Sequence, residues 1–176
     1  MQDEINKYNK YSEVSDYDFR MIEAYIDKPE VTQWYVNAFK RFSANGVDVM
    51  KWHWSWWAFF GSVFYLLYRK SYLAAGVLFI LIIISGIVPL GSIILWILSG
   101  GYAPYFVYKA YKEKRLEVET MVEDDEKRIE TMQMLGGAND WAIWLGVIVH
   151  VFLWGALFST LGVMLAMLGL AIGNVQ

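Results

Sequence analysis

The sequence predicts an all-α, helical membrane protein: about three transmembrane helices, one aromatic interfacial or re-entrant helix, and cytoplasmic N-terminal and central helices. Three observations predict it. Hydrophobic residues make up 57 % of the 176 positions, yet they are gathered into long blocks instead of recurring with one period. Two of those blocks, 71–108 and 141–173, contain no Asp, Glu, Lys or Arg. The polar segments between them carry apolar residues at helical spacing.

Composition narrows the function classes. A formal charge of -3 arises from nearly balanced acids and bases, so no cationic face for nucleic acid is expected. The chain has no Cys, which removes disulfides, thiol catalysis and thiolate metal sites together. With His53 and His150 alone, a His-rich metal site is not expected either. The opening residues lack a basic stretch followed by an apolar core, so the first apolar block is expected to act as its own targeting signal.

Residues 1–51 read as a cytoplasmic helical segment. Its first 14 or so residues are polar. Ser15 with Asp18 is a capping-box variant opening a short helix through Phe19, Ile22 and Ile26. Pro29 suits the first turn of a second helix, in which Val31, Tyr35, Ala38 and Phe42 form one stripe and Asn45-Gly46 supplies a stop. Residues 52–70, "WHWSWWAFFGSVFYLLYRK", are the aromatic interfacial or re-entrant helix. Trp52, Trp54, Trp56, Trp57, Tyr65 and Tyr68 bracket a short apolar middle, and Arg69 and Lys70 close it; Trp and Tyr favour the headgroup level of a bilayer.

Residues 71–108 are long enough for a transmembrane hairpin, turning at Ser85-Gly86 and Pro89 to Ser92 and bent at Gly100-Gly101 and Pro104. Residues 109–138 form a charged cytoplasmic helix continuing the second span. Val118, Val122, Ile129 and Met132 make its apolar stripe, and Glu123 with Lys127 and Asp124 with Arg128 are i,i+4 pairs. "GGAND" interrupts it, with Asn139 or Asp140 as a cap for the C-terminal transmembrane segment, 139–176.

Basic residues flank the hairpin at both ends (Arg69, Lys70; Lys109, Lys112, Lys114, Arg115) and are missing from its turn, so both ends are expected on the cytoplasmic side. A complete crossing by 52–70 would put Lys40, Arg41 and Lys51 outside, which argues for a surface-lying segment.

The box Trp54–Tyr72 resembles that of a family of small bacterial membrane proteins known only as a domain of unknown function, whose hallmark reads roughly FNWAAFFFGPFWLLYRKMY. Trp56, Ala58, Phe59, Phe60, Phe64, Leu66, Leu67, Tyr68, Arg69, Lys70 and Tyr72 match it without a gap. The surroundings are similar too: an upstream helix with an aromatic pair, here Trp34-Tyr35, and a downstream apolar hairpin running into a charged segment. Ser55 replaces Asn, Trp57 replaces Ala, and Ser62-Val63 replaces Gly-Pro, so no Pro-driven bend is expected here. The resemblance implies a bacterial inner-membrane protein and assigns no catalytic residues; the apolar blocks and the basic flanks separately predict a multi-pass chain with a cytoplasmic N-terminus.

No phosphate loop, nucleophile elbow, dinucleotide fingerprint or metal-spaced pair occurs, and no cofactor or enzymatic activity is expected. The acidic run "EDDEKRIE" lacks the alternating ligands of a calcium loop. His150 is the ionisable residue deep in the last apolar block, suited to a polar contact between helices or to proton transfer. Gly155, Ser159, Gly162, Ala166, Gly169 and Gly173 recur at spacings of four and three, a stripe of small residues on which another helix can pack closely. The expected partners are membrane lipids and a protein partner or second copy of the chain. The functional expectation is a membrane scaffold, assembly factor or accessory subunit; the alternative is a small oligomeric transporter or channel.

Overall fold

A computed structural model describes residues 14–43, 47–87 and 90–173, the last five of these by backbone alone. Among them every regular element is a helix: α1 (Asp16–Ile26), α2 (Pro29–Phe42), α3 (Trp56–Gly61), α4 (Val63–Tyr68), α5 (Tyr72–Ser85), α6 (Gly91–Met121), α7 (Asp125–Leu135) and α8 (Asp140–Gly173). The expected Asn45-Gly46 stop and the Pro89 turn lie outside the described residues.

The N-terminal pair forms as its sequence dictates. The Ser15 hydroxyl accepts the Asp18 N–H at 3.0 Å and donates to the Asp18 carboxylate at 2.7 Å, so one free donor of the first turn is satisfied. Pro29 occupies the start of α2, and the Tyr35, Ala38 and Phe42 stripe is buried. Both helices close on the middle of α6, where Val107, Tyr108 and Tyr111 are buried; Phe39 stacks on Tyr111 with centroids 5.2 Å apart. α7 lies beside α1 and adds Met132 to this core.

The charged stretch is not one helix. α6 ends at Met121, Val122 is extended, and Asp124 caps α7 by accepting the Lys127 N–H at 3.0 Å. The expected Glu123–Lys127 and Asp124–Arg128 pairs therefore do not form: capping occupies Asp124, and Arg128 pairs with Asp125 at 2.8 Å. Val118 and Met132 are buried and Ile129 packs against the core, so the apolar stripe faces inward to this chain's own helices.

The aromatic segment also departs from a single helix. Trp52 to Ser55 lies outside any helix, with Ser55 extended, and α3 and α4 are separated at Ser62, whose φ is 45°. The bend exists without the Pro, because Ser62 itself takes the backbone conformation that Gly adopts without strain.

One helix among the described residues is long and apolar enough to cross a membrane, and its apolar part is α8. α5 has 14 residues, about 21 Å of helix, short of a hydrocarbon layer of about 30 Å. The expected three spans thus reduce to one by length and composition, since the apolar residues of α6 run directly into Lys109. The apolar faces of α5 (Leu73, Val77, Ile80, Ile83, Ile84), of early α6 (Ile93, Ile94, Ile97) and of α8 are nonetheless exposed.

Candidate functional site

The segment Trp52–Ser55 is seated on α6 by a gap in that helix's own hydrogen bonding. Pro104 has no N–H, so the Gly100 carbonyl four residues earlier loses its helical donor. The Ser55 N–H fills that place at 2.8 Å, and the His53 N–H bonds the Gly101 carbonyl at 2.9 Å. The two glycines admit this approach: a Cβ on Gly100 would lie 2.7 Å from the Trp54 ring, and one on Gly101 would run into the Trp52 ring. The Gly-Gly-x-x-Pro element, expected as a simple bend, is thus a seat for the irregular segment Trp52–Ser55.

The upstream aromatic pair and the Trp-rich box meet in space. Trp34 stands edge-on to Tyr35 at 4.9 Å and lies 4.7 Å from the His53 ring. Tyr35 and Tyr65 are buried and share a hydroxyl hydrogen bond of 2.9 Å, and the Arg69 guanidinium sits 4.8 Å from the Tyr35 ring centroid and 4.9 Å from that of Tyr68. Burial holds the Tyr35 hydroxyl above its ordinary pKa, keeping it neutral.

Arg69 and Lys70 have a structural assignment that charge counting did not reveal. α1 and α7 run side by side, joined at one end by Arg20–Glu126 at 2.6 Å and at the other by the Gly137 N–H on the Tyr25 carbonyl at 2.8 Å. Their C-terminal ends, both partially negative, therefore lie together. Arg69 Nη1 donates to the Ile26 carbonyl at 3.1 Å, Lys70 Nζ to the Gly136 carbonyl, and Lys114 Nζ to the Leu135 carbonyl at 2.6 Å. Three cations cover two helix ends, and burial followed by repulsion from Lys70 holds Lys114 below its ordinary pKa.

The residues expected at a membrane interface divide accordingly. Trp52, Trp56 and Trp57 are exposed, Trp57 at 80 %, and Trp54, Tyr68 and Lys70 are half-buried. Tyr65 and Arg69, at 6 % exposure each, belong to the core instead.

The start of α8 is fastened to the same box. Asn139, expected as a cap, donates from its side-chain amide to the Leu67 carbonyl at 3.0 Å and to the Tyr72 hydroxyl at 2.7 Å. Gly146 lets α8 approach α4, since a Cβ there would be 3.0 Å from Phe64. One turn on, His150 Nδ1 bonds the Gly146 carbonyl at 2.7 Å, and its ring lies near Phe64 and Trp96. His150 is therefore where α8, α4 and α6 converge. Between α3–α4 and α8 runs a groove of about 1150 Å³, lined by aromatic and aliphatic side chains together with Lys28, Glu30, Arg69 and His150.

Beyond this contact α8 stands alone. Every side chain from 151 to 168 is exposed, including Gly155, Ser159, Gly162 and Ala166, and a Cβ on Gly155 or Gly162 would meet open space. The stripe has no partner among the described residues; Gly169 and Gly173 lie past the last described side chain.

No curated protein and no solved structure matches the chain. A family model described as "Protein of unknown function (DUF2628)" matches residues 3–108, which hold the helical pair, the Trp52–Ser55 segment, the Trp-rich box, α5 and the first part of α6. By that match over more than half its length, the chain belongs to the DUF2628 family.

Proposed function

We propose that the protein is a non-enzymatic membrane scaffold, assembly factor or accessory subunit, anchored in the cytoplasmic membrane by α8, with α1, α2 and α7 forming a platform on the cytoplasmic side. The observation that carries this reading is the exposure of every described side chain of α8 from residue 151 onward, a helix surface that water would not tolerate and that offers a small-residue stripe to a second helix. An apolar, 34-residue helix rooted in a helical bundle with a charged surface suits an anchor that brings that surface to a membrane.

The finer topology follows from the same physics. α5 and early α6 present apolar faces outward, and the aromatic side chains Trp52, Trp56 and Trp57 are exposed as well. We infer a multi-pass arrangement in which the α5–α6 hairpin enters the bilayer alongside α8, both hairpin ends stay with the basic residues on the cytoplasmic side, and the 52–70 segment lies at the headgroup level.

Size measurement in detergent combined with affinity capture tests the scaffold reading. It predicts a homo-oligomer or a defined complex that weakens at least about tenfold in Gly155→Leu/Gly162→Leu, since bulky side chains prevent close helix approach. A strict monomer that captures no partner contradicts it. Solute flux in liposomes lost on His150→Ala would favour the transporter alternative instead.

A further inference from the structure

The groove between α3–α4 and α8 has its charges at one end and its apolar surface at the other. Lys28 and Arg69 stand where α1 meets α2 and α4 ends, with Glu30 as the acidic lining residue, so the charged groups sum to one net positive charge. Ile143, Val147, Val151 and Trp154 recur at helical spacing on one face of α8, along about 16 Å of its axis.

Arg69 is 94 % buried by its 6 % exposure, its Nε has no hydrogen-bond partner, and neither it nor Lys28 joins an ion pair among the described residues. One side of its guanidinium is held by the Ile26 carbonyl, and the Tyr35 and Tyr68 rings beside it both line the groove. A buried cation with spare donors is stabilised most by an anion brought to it.

We propose that this groove binds one anionic phospholipid of the surrounding bilayer, its phosphate beside Arg69 and Lys28 and one acyl chain laid along α8 toward Trp154. The proposal rests on the reading of α8 as a membrane anchor. Two observations select a lipid as occupant. The groove's apolar wall is continuous with the exposed surface of α8, so its occupant shares the solvent of that helix. Past His150 the α8 wall offers only Val151 and Trp154, which suits a hydrocarbon chain and leaves the backbone of a peptide without partners. On the opposite wall Ser55 already accepts the Ala58 N–H, and the Tyr35 and Tyr65 hydroxyls pair with each other.

Native mass spectrometry of the full chain in detergent, with phosphatidylglycerol or phosphatidylcholine added, tests the site. The wild type is expected to retain one phosphatidylglycerol at least about tenfold over phosphatidylcholine. Lys28→Glu, which reverses the charge at the head end, and Val147→Trp, which fills the apolar end, are each expected to lower that retention about tenfold while circular dichroism stays unchanged. Equal retention of the two lipids, unchanged retention in both variants, capture of a free fatty acid in place of phospholipid, or a protein cross-linked at position 147 would overturn the proposal. An alkaline carbonate wash separates the two readings: release of the chain from membranes refutes the anchor itself, whereas an integral protein without lipid selectivity refutes only the groove.

Discussion

Tyr35 and Tyr65 illustrate how single groups fix this core. Each hydroxyl satisfies the other away from water, so Tyr35→Phe orphans Tyr65 and is expected to cost about 1–3 kcal/mol, and Tyr65→Phe likewise. The double variant is expected to cost clearly less than the sum of the two, read from denaturant melts as a double-mutant cycle. Ser62 is the opposite case. It holds φ at 45° and buries a hydroxyl with no partner among the described residues. Ser62→Gly removes the strain and the orphan together and is expected to raise stability by about 1–2 kcal/mol; a loss in the same melt would show that the strain reading is wrong. His53 sets a pH dependence. Burial first, then Arg41, holds its pKa below the ordinary 6.5, so the folded state prefers the neutral ring. Its stabilising contribution is full above pH 6.5 and is lost as pH falls through the depressed folded value, because the unfolded chain binds the proton first. The melting temperature is expected to drop as pH falls below the ordinary 6.5, and the drop to flatten in His53→Phe.

Among the elements, the Trp52–Ser55 segment on α6 was the least legible. The sequence displays Gly100, Gly101 and Pro104 plainly, and the rule that Pro frees a carbonyl says a donor must come from somewhere. It does not say that the donor is Ser55, 49 positions upstream of Pro104, because that depends on tertiary placement. Dislodging this segment should uncouple the aromatic box from the bundle. Gly101→Leu, which drives a side chain into the Trp52 ring, is expected to shift the tryptophan emission and to destabilise the fold by about 2 kcal/mol or more, while Gly76→Leu, in open space on α5, leaves both unchanged. The N-terminal helices were readable because their signals are local: a Ser cap, a Pro at the first turn and one apolar stripe. The break at Val122 was not, since Asp124 serves equally well on paper as a cap or as half of an ion pair. α8 was readable in extent from its missing charges, whereas the partner of its stripe is not a property of one chain's sequence.

At the scale of the whole molecule, the α-helical class followed from composition and the family from the resemblance of the Trp-rich box, whereas the packing of the helical pair against that box did not. What remained hidden was how two helix C-termini come to share one place. Arg69, Lys70 and Lys114 read as topogenic charges in a linear count, and in the fold they close the ends of α1 and α7. The two uses are compatible, because cations that cap helices on one side of a bilayer also keep that side cytoplasmic. In the proposed topology the N-terminal helices and α7 stay on that side, and the apolar hairpin and α8 enter the bilayer. The absence of Cys makes the decisive measurement clean: single cysteines at Thr120, on the charged end of α6, and Met164, on the exposed part of α8, labelled with a membrane-impermeant maleimide in intact cells and in inverted vesicles. Thr120→Cys is expected to react only in inverted vesicles, and Met164→Cys in neither until detergent is added. Labelling of Thr120→Cys in intact cells, or of Met164→Cys in sealed inverted vesicles, would contradict this topology.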